Sequence, residues 1–542
     1  MLTSRSRVGF WGWTMGVGLA AAACGDQGAE QARDIDQTAV ETSALTAQDR
    51  LTACQQDPRV LTGLVAAQVC AGARIFFDET FGGNGRTCGT CHPARNNFTI
   101  DVPFIDTLPA TDPLFVFEQD PVNLGGLETA SLRAAGGILE NVDDFQDPTH
   151  KFVIRSVPHL LSMNTSIAAD PADPTTTTPP AERTGWGGDG AGGGGALRDF
   201  LNGAIKQHYP KTLARREGID FRVATPQELD FVRAFQVALG RLNEPNLSQV
   251  NLADAQAQAG KLAYLDPLRG RCQVCHLNGG ANFQDTNLNR NFDTGTRTAP
   301  NGQFTVPQFD GVFLFDGGFG GQGVLHPNIV ALDFMPPTTP NNGFGNNTFN
   351  TPPVIEAADT LPGFHTNAFG GGNPGIANIE NIVTFYAGVF LGSKAAHDLD
   401  VRFGAPANFA GTTIDDIGRF LRALNVALNI DMAKQRLNAA QTILNRFHDQ
   451  FLPIQKGLIS LAVAEIDDAL EVLQDTRTAQ PFYPVSVDRL NLAKAEITTA
   501  LNSATFAQRQ GPLSNAISRA QNARDQLGAN VTFTLGQGNL MF

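Results

Sequence analysis

The clearest hydrophobic periodicity lies in the last fifth of the chain. Leu437, Ala440, Leu444 and Phe447 recur at helical spacing, as do Ile459, Ala462, Ile466 and Leu473. Two further sets follow the same rule: Leu490, Ala493, Ile497 and Leu501, then Leu513, Ile517, Ala520 and Leu527. Pro453, Pro484 and Pro512 punctuate the four periods, so residues 431–542 are predicted to form an antiparallel helical bundle. His448 is its sole ligand-like side chain and is expected at the surface. Upstream, Leu197 to Gln207 reads as a helix. Thr225-Pro226-Gln227-Glu228 combines a capping box with Pro in the first turn, ahead of an apolar face of Leu229, Val232, Phe235 and Leu239. Ile417, Phe420, Leu421 and Leu424 make another such face. Elsewhere the patterning lapses. Residues 100–150 are rich in Pro, Asp and Phe, and residues 170–180 read as a loop insertion. The expectation is a mainly α protein with long irregular connections.

Composition agrees. The 542 residues leave room for two or three domains, and 56 Gly with 31 Pro favour extended loops. The first 23 residues change the picture most: Arg5 and Arg7 precede an apolar run from Val8 to Ala23, the form of an export signal. That run is too short and too rich in Gly and Ala for a membrane span. It ends Ala21-Ala22-Ala23-Cys24, which resembles a lipoprotein processing box that would acylate Cys24, simple cleavage being the alternative. Residues 24–49 then read as a flexible tether. Removing the signal takes two Arg from a net charge of −14, leaving −14 − 2 = −16. This balance argues against nucleic acid. It suits a small basic partner protein, or solubility alone.

The candidate chemistry sits in two short runs, Cys88-Gly89-Thr90-Cys91-His92 and Cys272-Gln273-Val274-Cys275-His276. Each has the form of a c-type haem attachment site, with two thiols to add across the vinyl groups and an adjacent imidazole for the iron. With 7 Cys and 9 His, chance gives (7/542)² × (9/542) × 538, roughly 0.0015 occurrences. Zinc is the rival for paired Cys-x-x-Cys, but a His directly after the second Cys is the wrong spacing. Two covalent haems are therefore expected, with His92 and His276 as proximal ligands. Covalent haem attachment also requires export. With Cys24 assigned to the lipid anchor, Cys54 and Cys70 remain and are expected to pair in an oxidising compartment.

Around the first motif, residues 72–99 carry a G-x-x-[LI]-F-F-D … G-N-G … C-x-x-C-H-x-x-x-x-x-F-T pattern. It resembles the first haem segment of the bacterial dihaem cytochrome c peroxidase family. That family includes the dihaem enzyme that matures tryptophan tryptophylquinone and, more distantly, the dihaem rubber oxygenases. Further matches are the Gly185-Trp186-Gly187-Gly188-Asp189-Gly190 turn, Gly279–Asp285, Thr360-Leu361-Pro362-Gly363-Phe364-His365 and Ile379–Tyr386. The resemblance covers residues 70–430. The two motifs lie 272 − 88 = 184 residues apart, farther than in the compact peroxidases.

The resemblance implies a first cytochrome c-like domain over residues 50–247 and a second over 248–430. It implies a peroxidase-type oxidoreductase that reduces hydrogen peroxide, or another small oxidant, at the first haem. Electrons would come from a small basic cytochrome through the second haem and Trp186, the only Trp outside the signal. Tyr386 occupies the position of the second haem's distal ligand. His365 would support a propionate or loop. His150 stands where the family has a displaceable distal His. The distal Gln and Glu positions fall on Phe200 and Pro210, leaving His208 to move the peroxide proton. An apolar pocket of this kind would also suit O₂ or a hydrophobic substrate, as in an oxygenase or an enzyme using a stored high-valent state. A non-catalytic electron carrier is the third reading. The family's calcium between the haem domains usually binds an Asn, replaced here by Ser156, which leaves Ca²⁺ open. The expected location is the periplasm or cell envelope, with membrane contact only through a lipid on Cys24.

Overall fold

The computed structural model describes residues 45–141, 152–189, 195–296, 315–319, 343–367, 378–386, 411–474 and 481–542. The expected signal, Cys24 and His150 lie outside the described residues. About 53% of the described residues are helical and the strands are few and short, so the protein is mainly α as its patterning predicts. No helix among the described residues is long and apolar enough to cross a membrane.

The helices that position the site are α1 (Ala47–Cys54), α2 (Ala67–Asp78), α3 (Leu197–His208), α4 (Pro226–Gln236) and α5 (Ala255–Leu265). They are followed by α6 (Ile379–Tyr386), α7 (Gly411–Phe447), α8 (Leu452–Leu473), α9 (Pro484–Asn502) and α10 (Phe506–Gln526). α4 starts where expected: Thr225 Oγ1 accepts from Glu228 N–H at 3.2 Å and the Glu228 carboxylate accepts from Thr225 N–H at 2.8 Å. Before each motif two helices cross closely because a glycine lies at the contact. α2 meets α4 at Gly72, where a Cβ would stand 1.9 Å from the Phe231 carbonyl oxygen. α5 meets α7 at Gly260, where it would stand 1.8 Å from that of Asp416. Cys54 at the end of α1 and Cys70 in α2 form the expected disulfide.

From α7 onward each helix packs on the next, and α10 returns to α7. Pro453 and Pro484 sit in the first turns of α8 and α9, as a prolyl φ favours. Pro512 differs from expectation: it lies inside α10 rather than between helices. The amide it lacks would have reached Gln508 near the start, so the helix loses one bond and continues. α7 runs unbroken from Gly411 to Phe447, and the described residues pack as one compact unit. His448 is exposed, as expected.

Among the described residues seven short strands brace the loops: β1 (Gly137–Asn141), β2 (Phe152–Ser156), β3 (Asn282–Phe283), β4 (Leu288–Asn289), β5 (Asn291–Phe292), β6 (Phe315–Gly318) and β7 (Gly343–Asn350). β1 pairs antiparallel with β2, β3 with β4, and β7 lies between β5 and β6. The segment after α10 turns back into the core. Leu535 bridges Arg241, Asn539 exchanges hydrogen bonds with both backbone groups of Gly240, and Arg59 Nη1 donates to the Leu540 carbonyl at 2.8 Å. The Phe542 ring then meets those of Phe98 and Phe77 at 5.1 and 5.8 Å.

Candidate haem site

Cys88–Cys91 form a single helical turn, closed by Thr87 N–H donating to Thr90 Oγ1 at 2.9 Å. His92 follows, its Nδ1 fixed on the Phe98 carbonyl at 2.8 Å. His276 is held in the same way, with Nδ1 at 2.9 Å from the Pro352 carbonyl. A Nδ1–H so engaged leaves the Nε2 lone pair for a metal and sets the ring's orientation. Burial depresses both imidazoles to about 4, so they are neutral and able to ligate. Burial pushes the thiols the other way: Cys88 to about 11, Cys91 and Cys272 to about 12. Neutral sulfur of this kind suits a thioether.

Both motifs open on one cavity of about 400 Å³, which Phe76, Leu160, Phe200, Leu201, Phe349 and Leu421 help to line. On its wall, Arg86 ion-pairs with Glu128 at 2.6 Å, yet its Nη1 is buried with no partner among the described residues. Such an orphaned donor fits a carboxylate of the bound group. The cavity's apolar lining, paired thiols, fixed imidazoles and free guanidinium N–H together fit haem.

The Gly-Gly-Asn-Gly loop before the first motif works as a clamp. A Cβ at Gly83 would stand 2.2 Å from the Tyr209 carbonyl oxygen, and Asn84 N–H donates to that oxygen at 2.7 Å. Asn84 Nδ2 also reaches the His208 and Pro210 carbonyls at 2.9 and 3.1 Å. The end of α3 is thereby pinned beside the motif, and Tyr209 Oη donates to Cys88 Sγ at 3.1 Å. His208 lines the cavity and its Nδ1 is buried without a partner among the described residues. Burial, with Arg86, Arg215 and His92 nearby, depresses it to about 3. Phe200 also lines the cavity, whereas Pro210 is not among its lining residues.

Trp186 lines the same cavity, and its Nε1 donates to the Ser156 carbonyl at 2.9 Å. Its own carbonyl accepts from Asn350 N–H at the end of β7, at 2.9 Å. Tyr386, the last residue of α6, reaches the cavity from the other motif's side, within the electrostatic influence of Cys275 and Cys272. Burial raises its phenol well above the ordinary range. His365 lines the cavity, stacked on Phe349 at 4.1 Å with Nε2 3.9 Å from Asp316 Oδ2. Ser156, at the expected calcium position, spends its hydroxyl on the Phe364 carbonyl at 2.9 Å. Among the described residues no group of three or more His, Cys, Asp or Glu could hold a metal ion.

No role was expected for two further cavity residues, Arg155 and His159. Arg155 is buried on a bidentate contact with Asp316 (2.8 and 2.9 Å) and bonds Glu140 at 2.8 Å. It holds Asp316 down at about 2. His159 accepts Leu161 N–H on Nδ1 at 3.3 Å, which leaves its proton on Nε2, and burial depresses it to about 3. Compared with known protein families, curated proteins and solved structures, the chain matches none.

Proposed function

We propose that the chain is an exported dihaem c-type cytochrome of the dihaem cytochrome c peroxidase family. Two cytochrome c-like domains and a helical bundle would make up the fold. The reaction would be peroxide reduction, with electrons passing from the Cys272–His276 haem to the Cys88–His92 haem. One observation carries the reading: two Cys-x-x-Cys-His turns, each with its imidazole fixed through Nδ1, open on a single cavity with Trp186 in its wall.

Haem, when bound, supplies reversible one-electron chemistry and an iron that can take an oxidant. The chain's own residues do the rest. His92 and His276 present Nε2. Trp186, anchored on Ser156 and Asn350, offers a π-system for electrons crossing the cavity. His208, kept neutral by burial, is the base that takes the oxidant's proton and returns it to the departing oxygen. The apolar wall around Phe200, Leu201 and Met163 keeps bulk water from the reacting atoms. The same wall favours a second reading, oxygen insertion into a hydrophobic substrate. The acidic mature chain suits a small basic cytochrome as electron donor.

A pyridine haemochrome assay should return two haems per chain, and peroxide should oxidise a reduced cytochrome in the protein's presence. Trp186→Phe should retain both haems while slowing that turnover in stopped flow. Fewer than two haems would overturn the reading. Two haems with no peroxide turnover, but an O₂-dependent product, would favour the oxygenase.

A further inference from the structure

Away from the cavity, three carboxylates meet where the C-terminal helices touch the loops. Asp359 precedes Leu361-Pro362, Glu465 and Asp468 come from α8, and Asn425 and Asn429 from α7. Asn97 joins them from five residues past His92. Asp359 Oδ2 accepts from the Asn425 and Asn429 side-chain amides, both at 2.7 Å. Glu465 Oε1 accepts from Arg436 Nη1 at 2.5 Å. Asn97 Nδ2 reaches Asp468 Oδ2 and the Asp359 carbonyl, each at 3.3 Å. Asp359 Oδ1 and Glu465 Oε2 remain, buried and without a partner among the described residues.

The charges facing one another are Asp359, Glu465 and Asp468, with Glu471 acting on Asp468 and Arg436 as the counter-charge at Glu465. Three acids against one cation, two of their oxygens unpaired, need a further positive charge. A proton on one of the two unpaired oxygens supplies that charge. Burial supports this, raising all three acids, Asp359 to about 7.

The cluster is also tied to the first motif. Asn97, which grips both Asp468 and Asp359, is followed by Phe98, whose carbonyl fixes His92 Nδ1 at 2.8 Å. We propose that the Asp359–Glu465–Asp468 cluster is a proton-binding site linked to the electron on the first haem. As one electron arrives from the donor cytochrome, a carboxylate oxygen takes one proton from water, and oxidation returns both. The inference rests on the dihaem reading and gives the C-terminal helices a part in it, since α8 supplies two of the three acids.

The test uses the full haem-loaded chain. Its first-haem midpoint should fall as pH rises across about 7, and the reduced-minus-oxidised infrared spectrum should carry the C=O stretch of a protonated carboxyl. Asp359→Asn should flatten the pH dependence and remove the band, and Asp468→Asn gives a second route should the first variant fail to fold. A wild-type midpoint independent of pH, or a dependence that survives both substitutions, overturns the proposal while leaving the dihaem reading intact. A chain carrying no haem overturns both, and the haemochrome assay tells the two failures apart.

Discussion

Tyr386 is the residue whose chemistry depends most on what faces it. Its phenol is neutral because burial raises it, yet a ferric iron would take the oxygen as phenolate. An anionic oxygen donor stabilises the oxidised metal. Tyr386→Phe is therefore expected to raise the second haem's potential and alter its low-spin spectrum; identical values for both proteins would return Tyr386 to a packing role. Individual residues were legible where local spacing constrains them. The Cys-x-x-Cys-His runs stand out within five positions, and the structure fixes both imidazoles through Nδ1. The roles of Arg155 and His159 were not legible. Their setting comes from Asp316, 161 positions away from Arg155, and from the Leu161 amide that His159 Nδ1 accepts.

Among the elements, α1 and α2 are joined covalently at Cys54 and Cys70, 16 positions apart. The chain-entropy relation gives about 3 kcal/mol for a loop of this length. Cys54→Ser with Cys70→Ser should lower the urea midpoint accordingly, and unchanged stability would mean that the packing of α2 on α4 already restrains this loop. The start of α4 was legible because a capping box and a proline are local devices. α7 was not read as one helix. Residues 420 to 430 are buried on every side, so no polar stripe marks its period, and Asn425 and Asn429 inside it point to buried partners rather than water.

For the whole molecule, buried acids set the pH response above neutrality, and depressed imidazoles act below it. Asp359, Glu465 and Asp468 are raised by burial, so their contribution to stability is full below about pH 4 and is lost as pH rises, for Asp359 through about 7. Asp316 is held near 2 by Arg155, so its contribution is present above about pH 4 and is lost as pH falls through about 2. Above about pH 7 the depressed imidazoles are neutral in folded and unfolded chains alike, so there unfolding free energy should decline toward pH 8, by on the order of 1 kcal/mol. Asp359→Asn should shallow that decline; denaturant titrations of equal slope in both proteins would contradict it. The cavity itself was beyond the sequence, since it is closed by loops and helices hundreds of positions apart. The returning segment that places Phe542 against Phe98 spans 542 − 98 = 444 positions. Contacts so distant carry a closure cost that nearby ones do not, and they form late. On the proposed reading this sets an order of events: the thiols of Cys88 and Cys91 are open to haem ligation while the chain is still emerging. The door behind them shuts only after more than four hundred further residues have crossed.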